Sequence, residues 1–179
     1  MTVVSSNLIQ GPATLWIGAF GVTEPATVAT APGAGWTELG GTKDGIMLGV
    51  KDEHAVLEVD QIIYEVARRR TKRVVTIKTV LAEATLVNLG LALNNTAPAA
   101  SVLTADDGLT AFAPSYGAIL LDGIAPGGFR RRVILRKTLA TEGVESAYKK
   151  DGQTLFPVTW SAHWVSASIA PFIVTDATV

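Results

Sequence analysis

The chain has 179 residues, no cysteine and a formal net charge of −1. That length fits one domain with a substantial core, the missing cysteines exclude disulfide frameworks and thiolate metal sites, and the near-neutral charge argues against a protein that coats nucleic acid. Hydrophobic residues make up 48% and charged residues 17%, against roughly 25% charged in an average soluble protein, so part of the surface is expected to be covered by other protein.

No apolar run approaches the roughly 20 residues that span a bilayer, so no membrane association is expected. Residues 1–10 lack the basic and apolar regions of a signal peptide. Residues 13–20 form a short apolar run bracketed by Gly11-Pro12 and Gly21, and read as a strand. Residues 22–35 are rich in Ala, Thr, Pro and Gly and read as an extended arm, a kind of segment that usually orders only against a partner. Asp44-Gly45 is a turn signal. After it Ile46, Leu48 and Val50, then Ala55, Leu57 and Val59, alternate with small or polar residues as half-buried strands. A long hairpin is expected around 60–75, with arms at 62–66 and 72–81 and Arg68, Arg69, Arg70 and Thr71 at its tip. In the second arm Val75, Ile77 and Leu81 face one way, and Lys72, Thr76 and Lys78 the other.

Residues 81–93 switch to helical spacing. Ala82, Leu86, Leu89 and Leu93 share one face, and Ala84, Val87 and Leu91 form a second apolar stripe nearly opposite. Asn94, Asn95 and Pro98 end the helix. Asp106-Asp107-Gly108 reads as a turn. Residues 116–121 form a strand closed by Asp122-Gly123, and 125–128 turn the chain into 129–139. There Phe129, Val133, Leu135 and Leu139 oppose Arg130, Arg132, Arg136 and Thr138. Asp151-Gly152 is a hairpin signal, followed by Phe156, Val158, Trp160, Ala162 and Trp164 on one strand face. Residues 172–175 are a last strand. About eight strands, one helix and no βαβ alternation predict an all-β fold, a mainly antiparallel sandwich or barrel with one flanking α-helix, in a single domain over 1–179.

Catalytic patterns are sparse. His54 and His163 have no metal-ligand spacing, and there is no HExxH, GxSxG or Walker motif. Gly33-Ala34-Gly35 lacks the third glycine and following helix of a dinucleotide fingerprint. The expectation is a non-enzyme without cofactors, the competing classes being a small-ligand-binding β-barrel and a hydrolase assembled from scattered Ser, His163 and Asp residues. Core packing is expected for Trp16, Trp36, Trp160 and Trp164; the competing reading, a place at an interface, suits Trp36 best because it borders a loop.

The charges are sorted along the chain. Eleven of fifteen basic residues fall within 68–78 and 130–137, and seven acidic residues lie between Glu38 and Glu65. Arginine clusters suit phosphate, but also bidentate pairing with carboxylates, and no aromatic platform interleaves this one. Arg68, Arg69, Arg70, Lys72 and Arg73 are therefore expected to pair with carboxylates within or between copies, Glu38, Asp44, Asp52, Glu53 and Glu65 being the candidates. Val87 and Leu91 are expected to touch a neighbour, with Leu86 and Leu89 in the core.

An apolar first strand, a Pro/Ala-rich arm, Trp36 with Leu39-Gly40 and Asp44-Gly45-Ile46, the strand through Val59-Asp60, the hairpin near Arg68 and the run from Glu83 to Leu89 together resemble the major tail tube proteins of long, non-contractile-tailed bacteriophages. The resemblance covers about the first hundred residues; the C-terminal third agrees mainly in strand pattern. It implies hexameric rings whose sheets join into an inner barrel and stack into a tube, through which double-stranded DNA passes without specific binding during ejection. It further implies a virion protein made in the host cytoplasm that also meets tape measure and terminator proteins. The type VI secretion tube and tail-completion proteins look similar in fold. On this scheme Glu58 and Asp60 are candidates to face the lumen, where carboxylates would repel phosphate.

Overall fold

The computed structural model describes residues 3–95, 98–104 and 114–177. The turn expected at 106–108 lies outside them. The strands are β1 (Thr14–Ala19), β2 (Trp36–Glu38), β3 (Thr42–Leu57), β4 (Ala67–Leu81), β5 (Gly117–Ile124), β6 (Arg130–Ala140), β7 (Phe156–Ala162) and β8 (Phe172–Asp176), with one α-helix among the described residues, α1 (Leu86–Ala92). All their pairings are antiparallel. They form one sheet in the order β2-β1-β5-β6-β7-β4-β3, with β8 beside the first half of β6. The all-β expectation with one flanking helix holds.

Chain connectivity bends this sheet. β2 and β3 lie at opposite ends of the strand order, yet only residues 39–41 join them. Four Cα steps reach about 14 Å at most, whereas a flat seven-stranded sheet would hold its edges roughly 29 Å apart. The sheet therefore curls into an incomplete barrel. Its inner face carries the main core, in which Leu15, Leu121 and Val133, then Ile119 and Leu135, lie beside one another across β1, β5 and β6. Val75, Ile77, Leu81, Phe156, Val158 and Trp160 continue that core on β4 and β7.

The short link is tied at several points. Leu39 is buried and its N–H donates to the Leu15 carbonyl at 2.9 Å. Gly40 has φ +77, and a side chain there would collide with the Glu83 carboxylate. That carboxylate accepts from the Gly41 N–H at 2.9 Å. Thr85 caps α1 by accepting from the Asn88 N–H at 3.1 Å, and the buried Asn88 amide donates to the carbonyls of Leu39 and Glu83. At the other end Asn94 takes the left-handed conformation, φ 55, and its amide exchanges two 2.7 Å hydrogen bonds with the backbone of Ala140.

Several sequence expectations are corrected by register. Asp44-Gly45 is an irregularity inside β3, not a turn: Lys43 pairs with Val80 and Ile46 with Thr79, and both intervening residues have positive φ. What read as two strands is thus one strand of sixteen residues. β5 runs through Asp122-Gly123 instead of stopping there. A register shift opposite Ala118 turns β6 over, so Thr138 is buried and Ala140, not Leu139, joins the core. Asp151-Gly152 sits beside an isolated Lys149–Gly152 bridge with no strand before it. α1 has seven residues because β4 extends to Leu81.

Candidate functional site

Three surfaces carry the residues singled out by sequence: the β3–β4 hairpin, the arm over β5 and β6, and the exposed side of α1.

The hairpin is longer than expected and its basic residues are elsewhere. β4 meets β7 only over Thr76–Leu81, so Ala67 through Val75 has β3 as its sole partner among the described strands. Nine strand residues at about 3.3 Å each project roughly 30 Å. The tip is 58–66, and the arginines lie in β4 itself; the expectation that they form the tip is corrected. Alternation of small and polar residues does not reveal where a strand pair ends, because both arms continue the pattern past the core.

Within the hairpin the charges neutralise one another. Arg73 donates through Nε and Nη2 to both Asp52 oxygens at 2.6 and 2.7 Å, and Arg70 lies 3.6 Å from the same carboxylate. Arg68 makes the equivalent two-pronged contact with Glu65. A register shift between Glu53 and His54 lets Arg73 and Arg70 share the Asp52 face, since the unpaired Thr71 restores the alternation. The Thr71 hydroxyl donates to the Glu53 carbonyl at 3.1 Å. Asp52 and Glu65 are thus engaged by the chain's own arginines. Among the described residues Arg69, Lys72, Glu38, Asp44, Glu53, Glu58 and Asp60 make no ion pair. The register sets Glu53, Lys72 and Arg69 on the face opposite Asp52.

Hydrogen bonding from Arg73, reinforced by the charges of Arg73 and Arg70, pulls the Asp52 carboxyl from 3.8 to about 2, and Arg68 lowers Glu65 in the same way. A depressed folded-state value means the pairing contributes above the unfolded carboxylate range and is lost as pH falls through the folded value. The hairpin is therefore expected to loosen between about pH 4 and pH 2. Amide exchange at 52–57 and 68–73 checks this; rates insensitive to pH after intrinsic correction would contradict it. Asp52 is only half-buried and Glu65 lies at the hairpin surface, so the effect on global stability is expected to be slight.

Glu58 and Asp60 lie at the tip, beyond the end of β3, so the strand expected to carry them past Leu57 is corrected. Around them Val59, Ile62, Ile63, Tyr64 and Val66 are exposed, Ile63 completely and Tyr64 to 83%. Along β3, Met47, Leu48, Val50, Val56 and Leu57 are exposed as well. In α1, Val87 is exposed as expected, but Leu91 packs against the protomer core and Leu86 is exposed. Leu89 packs against the core as expected, so the inward side of the helix runs through Leu89 and Leu91, and Leu86 in its first turn is left outside. Trp36 is buried and its indole N–H donates to the Thr23 carbonyl at 3.0 Å; the exposed tryptophan is Trp164, just past the end of β7.

The second basic stretch fastens the arm, which composition could not disclose. Arg132 is 3% exposed, donates to both oxygens of Asp122 at 2.6 and 2.8 Å, and reaches the carbonyls of Thr27 and Thr30 at 2.9 Å each. Arg136 pairs with Glu24 and also donates to the Ala170 carbonyl, and Arg130 donates to the Val28 carbonyl. Beneath the arm Trp36, Ala118, Leu120 and Ile134 form a second buried cluster, with Trp16 and Val22 packed on it. The arm is ordered against its own sheet.

Of the two histidines, His54 is on β3 opposite Arg70. His163 stands edge-on to Tyr116 at 5.4 Å, and its enclosed Nε2 has no hydrogen-bond partner. Among the described residues no group of three or more His, Asp or Glu is placed to hold a metal ion.

An open sixteen-residue edge strand, a projecting hairpin with an apolar tip and a core closed by the chain itself define a class, the all-β structural subunit. A family profile described as phage tail tube protein matches residues 4–179, and the chain belongs to that family. It is a structural protein of the phage tail, a family whose members assemble with themselves and with other tail proteins. A search of curated proteins finds no match.

Proposed function

We propose that this protein forms closed six-membered rings that stack into the tail tube and enclose the passage for double-stranded DNA, with no catalytic role and no cofactor. The observation that carries this is β3: sixteen residues long, paired with β4 alone among the described strands, with exposed apolar side chains along it. Such an edge is a template for another chain, and a rotation that closes turns a head-to-tail contact into a ring. Tape measure and terminator proteins are the expected partners at the tube's ends and interior. Synthesis in the host cytoplasm follows from a virion role. A lumen-facing place for Glu58 and Asp60 fits repulsion of phosphate, and Val87 is a candidate contact between copies.

Negative-stain microscopy and light scattering of the purified chain test the reading. Rings or filaments that lengthen with concentration are expected; a particle that stays monomeric when concentrated overturns it. Arg69→Glu combined with Lys72→Glu reverses two charges that make no ion pair within the described chain. It is expected to suppress tubes while the circular dichroism spectrum and unfolding midpoint stay as in the parent. Unchanged polymerisation would remove these residues from the interface.

A further inference from the structure

We propose that the arm over residues 22–35 is a releasable strap, which lifts from the β5–β6 face as one unit while the barrel stays folded. The backbone bonding allows this. Among the described residues the arm's backbone hydrogen bonds close local turns, from the N–H groups of Val22, Thr30 and Trp36 to the carbonyls of Ala19, Thr27 and Gly33, and none crosses to β5 or β6. Its ends are pinned side by side, because Gly18 on β1 pairs with Trp36 on β2. Lifting the loop between them breaks no strand ladder, as in an Ω-loop whose ends stay in place.

Side chains hold the strap down. Arg132 reaches the carbonyls of Thr27 and Thr30, Arg130 that of Val28, and Arg136 the Glu24 carboxylate. Packing beneath it is incomplete. Val28 is the only buried residue of 22–35, and hollows of about 230 Å³ and 170 Å³ flank the arm, with Glu24 and Ile134 lining both. Atoms facing such a hollow have no dispersion partners on that side. Release also strands no charge. Arg132 keeps Asp122, its register partner within the sheet, and Arg136 keeps the Ala170 carbonyl. A buried ion left without a partner would make the opening costly, and here the pair survives it. The face uncovered is apolar, made of Ala118, Leu120 and Ile134 with Trp36 beside them. The strap therefore decides whether this second cluster meets solvent, at a cost below that of global unfolding. Its opening asks nothing of assembly and goes beyond the tube reading.

The chain contains no cysteine, so an introduced thiol reports the opening. Full-length Leu120→Cys, beneath the arm, is compared with Leu135→Cys in the main core; both leucines are fully buried. Thiol labelling of the native, unassembled chain is followed at rising urea below the unfolding transition. Leu120→Cys is expected to react at least about 100-fold faster and with little urea dependence, because a small opening exposes little surface. Adding Glu24→Gln should speed it by about fivefold, the scale of one modest ion pair. Equal rates with the same urea dependence overturn the strap, since the arm would then leave only when the whole molecule unfolds. A Leu120→Cys rate indifferent to Glu24→Gln overturns it too, because access would not run through the arm. If Leu120→Cys does not fold, Ala118→Cys against Ala140→Cys makes the same comparison with smaller changes in volume.

Discussion

Replacing Arg132 by leucine is expected to destabilise the protein by about 3–5 kcal/mol, the usual cost of removing one partner of a buried ion pair. The guanidinium serves three acceptors at once: the Asp122 carboxylate, and the carbonyls of Thr27 and Thr30. Without it a nearly buried carboxyl group, 10% exposed, is left with no partner, and two carbonyls on the arm lose their donor. A buried acceptor left unpaired costs more than its hydrogen bond contributed when made. Urea denaturation of the unassembled chain measures the loss, and limited proteolysis should show new cleavage within 22–35. Replacing Asp122 by leucine as well should recover much of the stability, because an apolar pair avoids the uncompensated charge. A loss below about 1 kcal/mol for the single variant, in the range of an exposed pair, would mean that the arm is not held through this residue.

Replacing Trp160 by alanine is expected to cost a similar amount, about 3–5 kcal/mol. Its side chain is fully buried between its register neighbours Ile77 on β4 and Ala140 on β6. It also walls a cavity of about 300 Å³ shared with Ile17, Leu91, Tyr116 and Thr138. Truncation adds the indole's volume to space that is already open, so the surroundings have little to collapse onto. Both the transfer and the cavity contributions should then appear in full. Trp164→Ala is the control: its side chain is 70% exposed, and a change within about 0.5 kcal/mol is expected. Equal losses at the two positions would contradict the burial difference.

Reading the strands from the chain succeeded where local pattern and burial coincide. The runs that became β1, β6 and β7 were located to within a few residues, because their apolar residues face a real core; β8 was located as well, though only Phe172 packs on that core. The three-residue β2 was missed, being too short to show any period. The hairpin was recognised but misplaced. Its arms keep alternating beyond the core, and the signal that a strand has left its neighbours is absent from its own residues. The tryptophans show the same limit: core packing is the reading for all four and Trp36 is buried, yet Trp164, just past the end of β7, is exposed.

The residues alone determined the class of this protein: few charges, no cysteine, strand-dominated periodicity and the order of features shared with tail tube proteins. They also showed that positive and negative charge are segregated along the chain. Which charges meet was decided only by the tertiary structure. Arg132 finds its arm partners about a hundred positions away, and one unpaired residue, Thr71, brings Arg70 and Arg73 to the same carboxylate. Cross-strand register sets those meetings, and register depends on how distant segments align, a relation that no local stretch of sequence contains.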